Sequence, residues 1–197
     1  MNKGESTRRT ILDQAMAAAT ELGLEALSIG SLAKRTGMSK SGLFAHFSSK
    51  ENLQLAVLET ASERFVKLVI EPAFKAPRGE PRVRAMLRKW MDWESAAFQP
   101  GGCVFISVAN ELADRPGVVR DYLVETQERW LATLARAAQI AIDEGHFRSN
   151  LDPQQFAFEV HGLVLSCHFY SRLLRSPDAN DRLHQAFDNI ILASRAS

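Results

Sequence analysis

A chain of 197 residues with 46% hydrophobic content buries a core without metal ions or crosslinks. No window approaches the roughly 18 apolar residues of a membrane span, the opening Met1-Asn2-Lys3-Gly4-Glu5-Ser6 lacks the apolar core of a signal peptide, and Cys103 and Cys167 do not make a disulfide framework. The composition therefore points to a soluble, cytoplasmic protein with reduced thiols and no membrane partner.

The net charge of +1 says little, but its distribution says more. Residues 1–50 carry seven Lys/Arg against four Asp/Glu, or +3, which leaves −2 for the rest of the chain. A mildly basic head on a mildly acidic body fits a polyanionic partner for the head.

Taken in order, every long segment has the helical period. Ile11, Leu12, Ala15, Ala18, Ala19 and Leu22 form the apolar stripe of a first helix, which Gly23 ends. Ser28 is a good N-cap for a short second helix with Ile29, Leu32 and Ala33 inward. Thr36-Gly37-Met38-Ser39 breaks it, and Ser39 caps a third helix with Leu43 and Phe47 inward. Ser48 and Glu51 have capping-box spacing for a fourth, with one residue later as the other start; it runs to about Pro72. Pro72–Pro81 is the clearest loop.

Helical pattern resumes over Val83–Phe98 and stops at Pro100-Gly101-Gly102. A short helix follows from Cys103 to Leu112, then a long one from Val118 to Glu144. Asp152-Pro153 supplies an N-cap and a first-turn proline for a helix reaching Leu174, and Ser176-Pro177-Asp178 opens the last, which ends near Arg195. No segment alternates strictly, so the expected fold is all-α with about nine helices. It divides into a helix-turn-helix head over residues 1–52 and a helical body over 53–197.

Three short helices, the second and third joined by a tight turn with glycine, are the ingredients of a helix-turn-helix. Gly37 suits the turn because a left-handed conformation costs it little. The outward face of the third helix carries Lys40, Ser41, Gly42 and His46, small or basic groups suited to a major groove and its phosphates. The run from Ser28 to Leu53 resembles the signature of the TetR/AcrR family of transcription regulators. Ala33, Gly37, Ser39, Leu43, His46, Phe47, Lys50, Glu51 and Leu53 all fall at the family's spacing.

That resemblance covers roughly residues 5–55. It implies that Ser28, Ser39, Lys40, Ser41, Gly42 and Phe44 lie at the DNA surface, with His46 and Lys50 on backbone phosphate. Two departures stand out. The family commonly has tyrosine where this chain has Phe44, so a phenolic phosphate contact is missing, and Gly30 replaces a larger residue. The resemblance also implies a non-enzymatic repressor of a double-stranded operator, released by a small-molecule effector.

In the body, the helix from Asp152 to Leu174 is apolar on nearly every side and needs cover all round. Gly162 and Ser166 permit close helix approach, and the last helix adds Leu183, Phe187, Ile190 and Ile191. These two helices are the expected homodimer face, and a twofold dimer implies a palindromic operator.

Trp90, Trp93, Phe98, Phe105 and Trp130 are explained by core packing or by an effector pocket. In the second reading the ligand-contacting set is Trp90, Trp93, Phe105 and Trp130, with Asn110, His161, His168 and Tyr170 as polar handles. Cys103, at a helix start after two glycines, is either a small residue at a tight entry or a reactive thiol. No metal is expected: His161 and His168 are seven apart, about 10.5 Å along a helix. No cofactor motif or catalytic order is present. An all-α enzyme or carrier with a merely structural head, and a nucleoid-type DNA binder without a ligand, are the competing readings.

Overall fold

In the computed structural model, which describes residues 3–196, the helical periodicity is realised throughout. The elements are α1 (Lys3–Leu22), α2 (Ile29–Thr36), α3 (Lys40–Phe47), α4 (Lys50–Phe65), a π-helical segment (Val66–Ile70), α5 (Glu71–Phe74), α6 (Glu80–Glu94), α7 (Val104–Leu112), α8 (Val118–Asp143), α9 (Pro153–Arg172) and α10 (Ala179–Ser194). Because α4, the π segment and α5 run on without a break, these eleven elements make nine separate helical rods. Among the described residues the one trace of β pairing is an isolated bridge between Phe147 and Arg195.

The local stop and start signals act as the residue types demand. Gly23 and Gly37 take φ of +82° and +68°, the left-handed region where a side chain is penalised. Asp152 accepts hydrogen bonds from the N–H groups of Gln154 (2.9 Å) and Gln155 (3.3 Å), capping α9 ahead of Pro153.

Three helix boundaries differ from expectation. The fourth helix runs two residues past Pro72 to Phe74, and the π turn directly before Pro72 explains how. Proline lacks an N–H and crowds the carbonyl four residues back, here that of Leu68; widening the preceding turn lets the rod continue. The loop is correspondingly shorter, since Glu80 and Pro81 form the first turn of α6, where a proline's missing N–H costs nothing. Helix α6 stops at Glu94, four residues short of Phe98.

Two compact units share the chain. The first comprises residues up to Arg64 together with Ser95–Glu125; the second comprises Phe65–Glu94 together with Thr126 to the C-terminal end. In the first, α1 packs against α2 and α7, and α2 against α3, around Ile11, Met16, Leu24, Leu32, Leu43, Leu53 and Val108, all at or below 1% exposure. In the second, α10 packs on α9, and α6 on α5 and the π segment. Met86, Trp90, Trp93, Phe147, Phe156, Val164 and Ile191 fill its core. Among the described residues, no helix is long and apolar enough to cross a membrane.

Candidate functional site

In the first unit serine caps open both α2 and α3. Ser28 Oγ accepts from Ser31 N–H and Ser31 Oγ accepts from Ser28 N–H, each at 3.0 Å. Ser39 Oγ accepts from Gly42 N–H at 3.1 Å and lies 3.2 Å from Ser41 Oγ. These hydroxyls satisfy the orphan donors at two helix starts, which fixes where each helix begins. The fourth helix uses the later of the two expected starts: Ser49 Oγ accepts from Asn52 N–H at 3.0 Å, while Ser48 turns left-handed with φ +62° to end α3.

Helix α3 then divides cleanly. Leu43 and Phe47 are buried, His46 and Gly42 are half-buried, and Lys40, Ser41, Phe44 and Ala45 are exposed. Phe44 is 54% exposed, an aromatic ring standing in solvent on a helix whose other outward groups are small or polar. Ala45 belongs to this face too, and sequence reasoning passed over it. Its place four residues after Ser41 is the signal that finds it. Gly30 of α2 leaves room for Lys40: a Cβ built there would meet the Lys40 stem at 3.4 Å.

Lys50 is not a solitary cation. Its ammonium donates to the Glu25 carbonyl at 2.7 Å and pairs with the Glu25 carboxylate at 3.0 Å. That hydrogen bond, above all, holds the Glu25 carboxyl below the usual carboxylate range. Gln54 donates to the Leu24 carbonyl at 2.9 Å, and Arg115 lies 3.3 Å from Glu25. From α7, the Glu111 carboxylate accepts from Leu24 N–H at 2.8 Å and also from Glu25 N–H. Beside it, Gly101 N–H donates to Thr20 Oγ1 at 3.0 Å. The link between α1 and α2 is thus held from α4 and from α7. Neither clamp could be read from the sequence, because the partners lie 25 to 87 residues apart.

The second unit holds six of the eight expected ligand-contacting residues. Trp90 and Trp130 pack edge to face at 5.1 Å, Phe65 stands edge-on to Trp130 at 4.8 Å and to Trp93 at 5.4 Å, and His161 lies over Trp90 at 5.6 Å. Burial lowers the His161 pKa, which favours neutral imidazole. His168 Nδ1 bonds the buried Glu94 carboxylate. The indole N–H groups of Trp90 and Trp130 and the Thr126 hydroxyl are buried with no acceptor among the described residues.

Two expected residues lie in the first unit, and Tyr170 lies at the surface of the second. Phe105, buried, and Asn110, exposed, sit on α7 in the first unit. Tyr170 is 42% exposed and lines a groove of about 200 Å³ between α9 and α10, with Leu163, Ser166 and Leu183. Cys103 is buried at the N-cap of α7 and Cys167 is buried in α9, where desolvation and then the Glu94 charge raise its thiol pKa. Among the described residues no group of three or more His, Cys, Asp or Glu is placed to hold a metal ion.

Helix α9 carries an unpartnered apolar stripe. Phe158, Leu165, Phe169 and Leu173, at i, i+7, i+11 and i+15, are 71%, 40%, 49% and 68% exposed, and Leu192 of α10 is 66% exposed. A Cβ built on Gly162, within that stripe, meets nothing within 4 Å.

The chain matches known proteins along most of its length. Residues 11–57 match the bacterial regulatory proteins of the tetR family, and residues 79–187 match the tetracyclin repressor-like C-terminal domain. It is 25% identical over 177 residues to the HTH-type transcriptional regulator SrpR of Pseudomonas putida, covering 89% of this chain and 79% of that one. The fold is that of a TetR transcriptional regulator from Chloroflexus aurantiacus, with a TM-score of 0.87, 23% identity and both chains covered in full. It is also that of AibR in complex with isovaleryl coenzyme A and operator DNA, with a TM-score of 0.73, 24% identity and 94% and 96% of the two chains covered. With its serine-capped helix-turn-helix and its all-helical body, the chain belongs to the TetR family and is a DNA-binding transcriptional regulator.

Proposed function

We propose that the chain is a homodimeric repressor that holds a palindromic operator and is released from it by a small-molecule effector. The observation that carries this reading is the apolar stripe of α9. Leaving Phe158, Leu165, Phe169 and Leu173 in water is unfavourable, and a contiguous stripe on one helix differs from scattered exposed apolar residues. A second copy, related by a twofold axis, covers it with the same residues, aided by Gly162 and Ser166. Two heads so related contact two half-sites of inverted sequence on one face of the duplex.

Within each head, residues 1–52 act as the DNA-binding domain. Ser28, Ser39, Lys40, Ser41, Gly42 and Phe44 meet the groove and its edge, and His46 and Lys50 meet phosphate. Residues 53–197 form the effector-binding and dimerising domain, and the effector contacts Trp90, Trp93, Trp130, His161 and His168. The unanswered indole N–H groups support an effector that is largely apolar and carries a hydrogen-bond acceptor, since buried donors are rarely left unpaired. The protein works by binding, not catalysis, in the cytoplasm where its operator lies. Release follows if the effector binds more tightly to a form whose two heads no longer match the half-site spacing.

Tryptophan fluorescence tests the effector step. Small acceptor-bearing aromatic and acyl compounds are titrated into the protein with and without bound operator. A compound that perturbs the tryptophan emission and dissociates the operator supports the reading. If compounds that bind the body leave operator affinity unchanged, release by an effector is wrong.

A further inference from the structure

The exposed face of α3 carries an unusual set of groups for reading DNA. Bidentate recognition of bases uses arginine, lysine, asparagine or glutamine. Among Lys40, Ser41, Gly42, Phe44 and Ala45, only Lys40 belongs to that set, and it lies at the start of the helix. The residues that follow have no forked side chain to offer a base edge. Ser41, Gly42 and Ala45 are small, so the helix axis can approach the groove floor closely. Phe44 presents its ring from the flank between Lys40 and Ser41, 54% exposed, with no hydroxyl to give a phosphate. The base feature that such a surface fits is the C5-methyl group of thymine, which is apolar and projects into the major groove.

We infer that α3 reads its half-site chiefly through thymine methyl groups, one against the Phe44 ring and a second against the Ala45 methyl. This rests on the reading of α3 as the helix that enters the groove. Removing one contacted methyl costs about fourfold in affinity, the worth of one buried carbon. Specificity at these positions is then lost when thymine becomes uracil, although every Watson–Crick and groove hydrogen bond survives.

The test takes the full-length protein and an operator selected from random duplex DNA. Each thymine of one half-site is replaced singly by uracil, and affinity is measured at fixed salt. The expected result is a loss of about fourfold at two positions and none at the others. With Phe44→Ala, the penalty disappears at one of them and remains at the other; Phe44→Tyr, which keeps the ring, retains both. Phe44 is exposed, so neither variant endangers folding. Uracil operators bound as tightly as thymine operators would overturn the inference, as would penalties that persist unchanged in Phe44→Ala. Failure of any thymine-containing operator to bind preferentially is a different outcome and would instead remove α3 as the reading helix.

Discussion

The Lys50 ammonium spans two acceptors of a single residue, the carbonyl and the carboxylate of Glu25, at 2.7 and 3.0 Å. A lysine so placed at the start of α4 either holds the α1–α2 link or leaves Glu25 for a DNA phosphate, and salt dependence separates the two. Each neutralised phosphate contributes about −0.9 to the slope of log K against log salt. Lys50→Met should weaken binding and flatten that slope by about 0.9. Glu25→Gln removes the competing carboxylate and tightens binding by up to about fivefold, the upper worth of an exposed ion pair. A Lys50→Met slope equal to wild type would leave Lys50 with its structural part alone.

Glu111 of α7 and Gly101, three residues before that helix, bond to α1 and the link that follows it. Glu111→Ala leaves the Leu24 N–H without its carboxylate, at a cost of about 1 to 3 kcal/mol, while the exposed Glu25 N–H turns to water. The midpoint of thermal unfolding falls by several degrees and operator affinity falls with it. Gly101→Ala is worse, because the added Cβ would collide with the backbone carbonyl of Thr20, which cannot rotate away. Circular dichroism melts rank the two; a neutral Gly101→Ala would contradict the packing of this corner.

The second unit carries a pH-dependent clamp. Glu80 accepts from Arg195 at 2.7 and 2.9 Å and from Arg84 at 2.8 Å, which holds its pKa at about 2 against an ordinary 4.5. A carboxyl depressed in the folded state gives stability that is fully present above about pH 4.5 and is lost as pH falls toward 2. Arg84 and Arg195 are 37% and 49% exposed, so solvent screening trims the contribution to about 1 to 2 kcal/mol. Glu80→Gln should be less stable than wild type at pH 7, and the difference should shrink between pH 4.5 and 2 in urea titrations. A difference constant across that range would show that the clamp contributes nothing through its charge.

The stripe on α9 makes the oligomer testable. Leu165→Glu with Phe169→Glu places charges where a twofold partner would bury them, at exposed positions that the monomer fold does not use. Light scattering should report twice the chain mass for wild type and the single mass for the double variant. Operator affinity should fall roughly a hundredfold or more, since the two half-sites are then bound independently. A wild-type monomer would remove the dimer, and with it the palindrome.

The head was legible because its signals are local. Ser28, Gly37 and Ser39 act on neighbours within four residues, so residue type and spacing sufficed to place α2, the turn and α3. The apolar periodicity of α9 likewise announced an uncovered face, and Phe158, Leu165 and Phe169 carry it. The π turn was not legible, because residues 66–70 read as ordinary helix and only Pro72 behind them hints at strain. Helix-forming residues also run on through Ser95-Ala96-Ala97, which hid the end of α6. The aromatic set of the body split between two compact units for a related reason. Periodicity gives the face of a helix but not which helices share a core, so Phe105 and Asn110 could not be told from Trp90 and Trp130.

The most direct measurement is operator affinity against salt. The DNA upstream of the chain's own gene and a random duplex of equal length are titrated with the full-length protein by fluorescence anisotropy. The specific site should bind at least about a thousandfold tighter at physiological salt, and both affinities should fall linearly in log–log form as salt rises. Equal affinity for the two duplexes at every salt concentration would contradict a sequence-reading head.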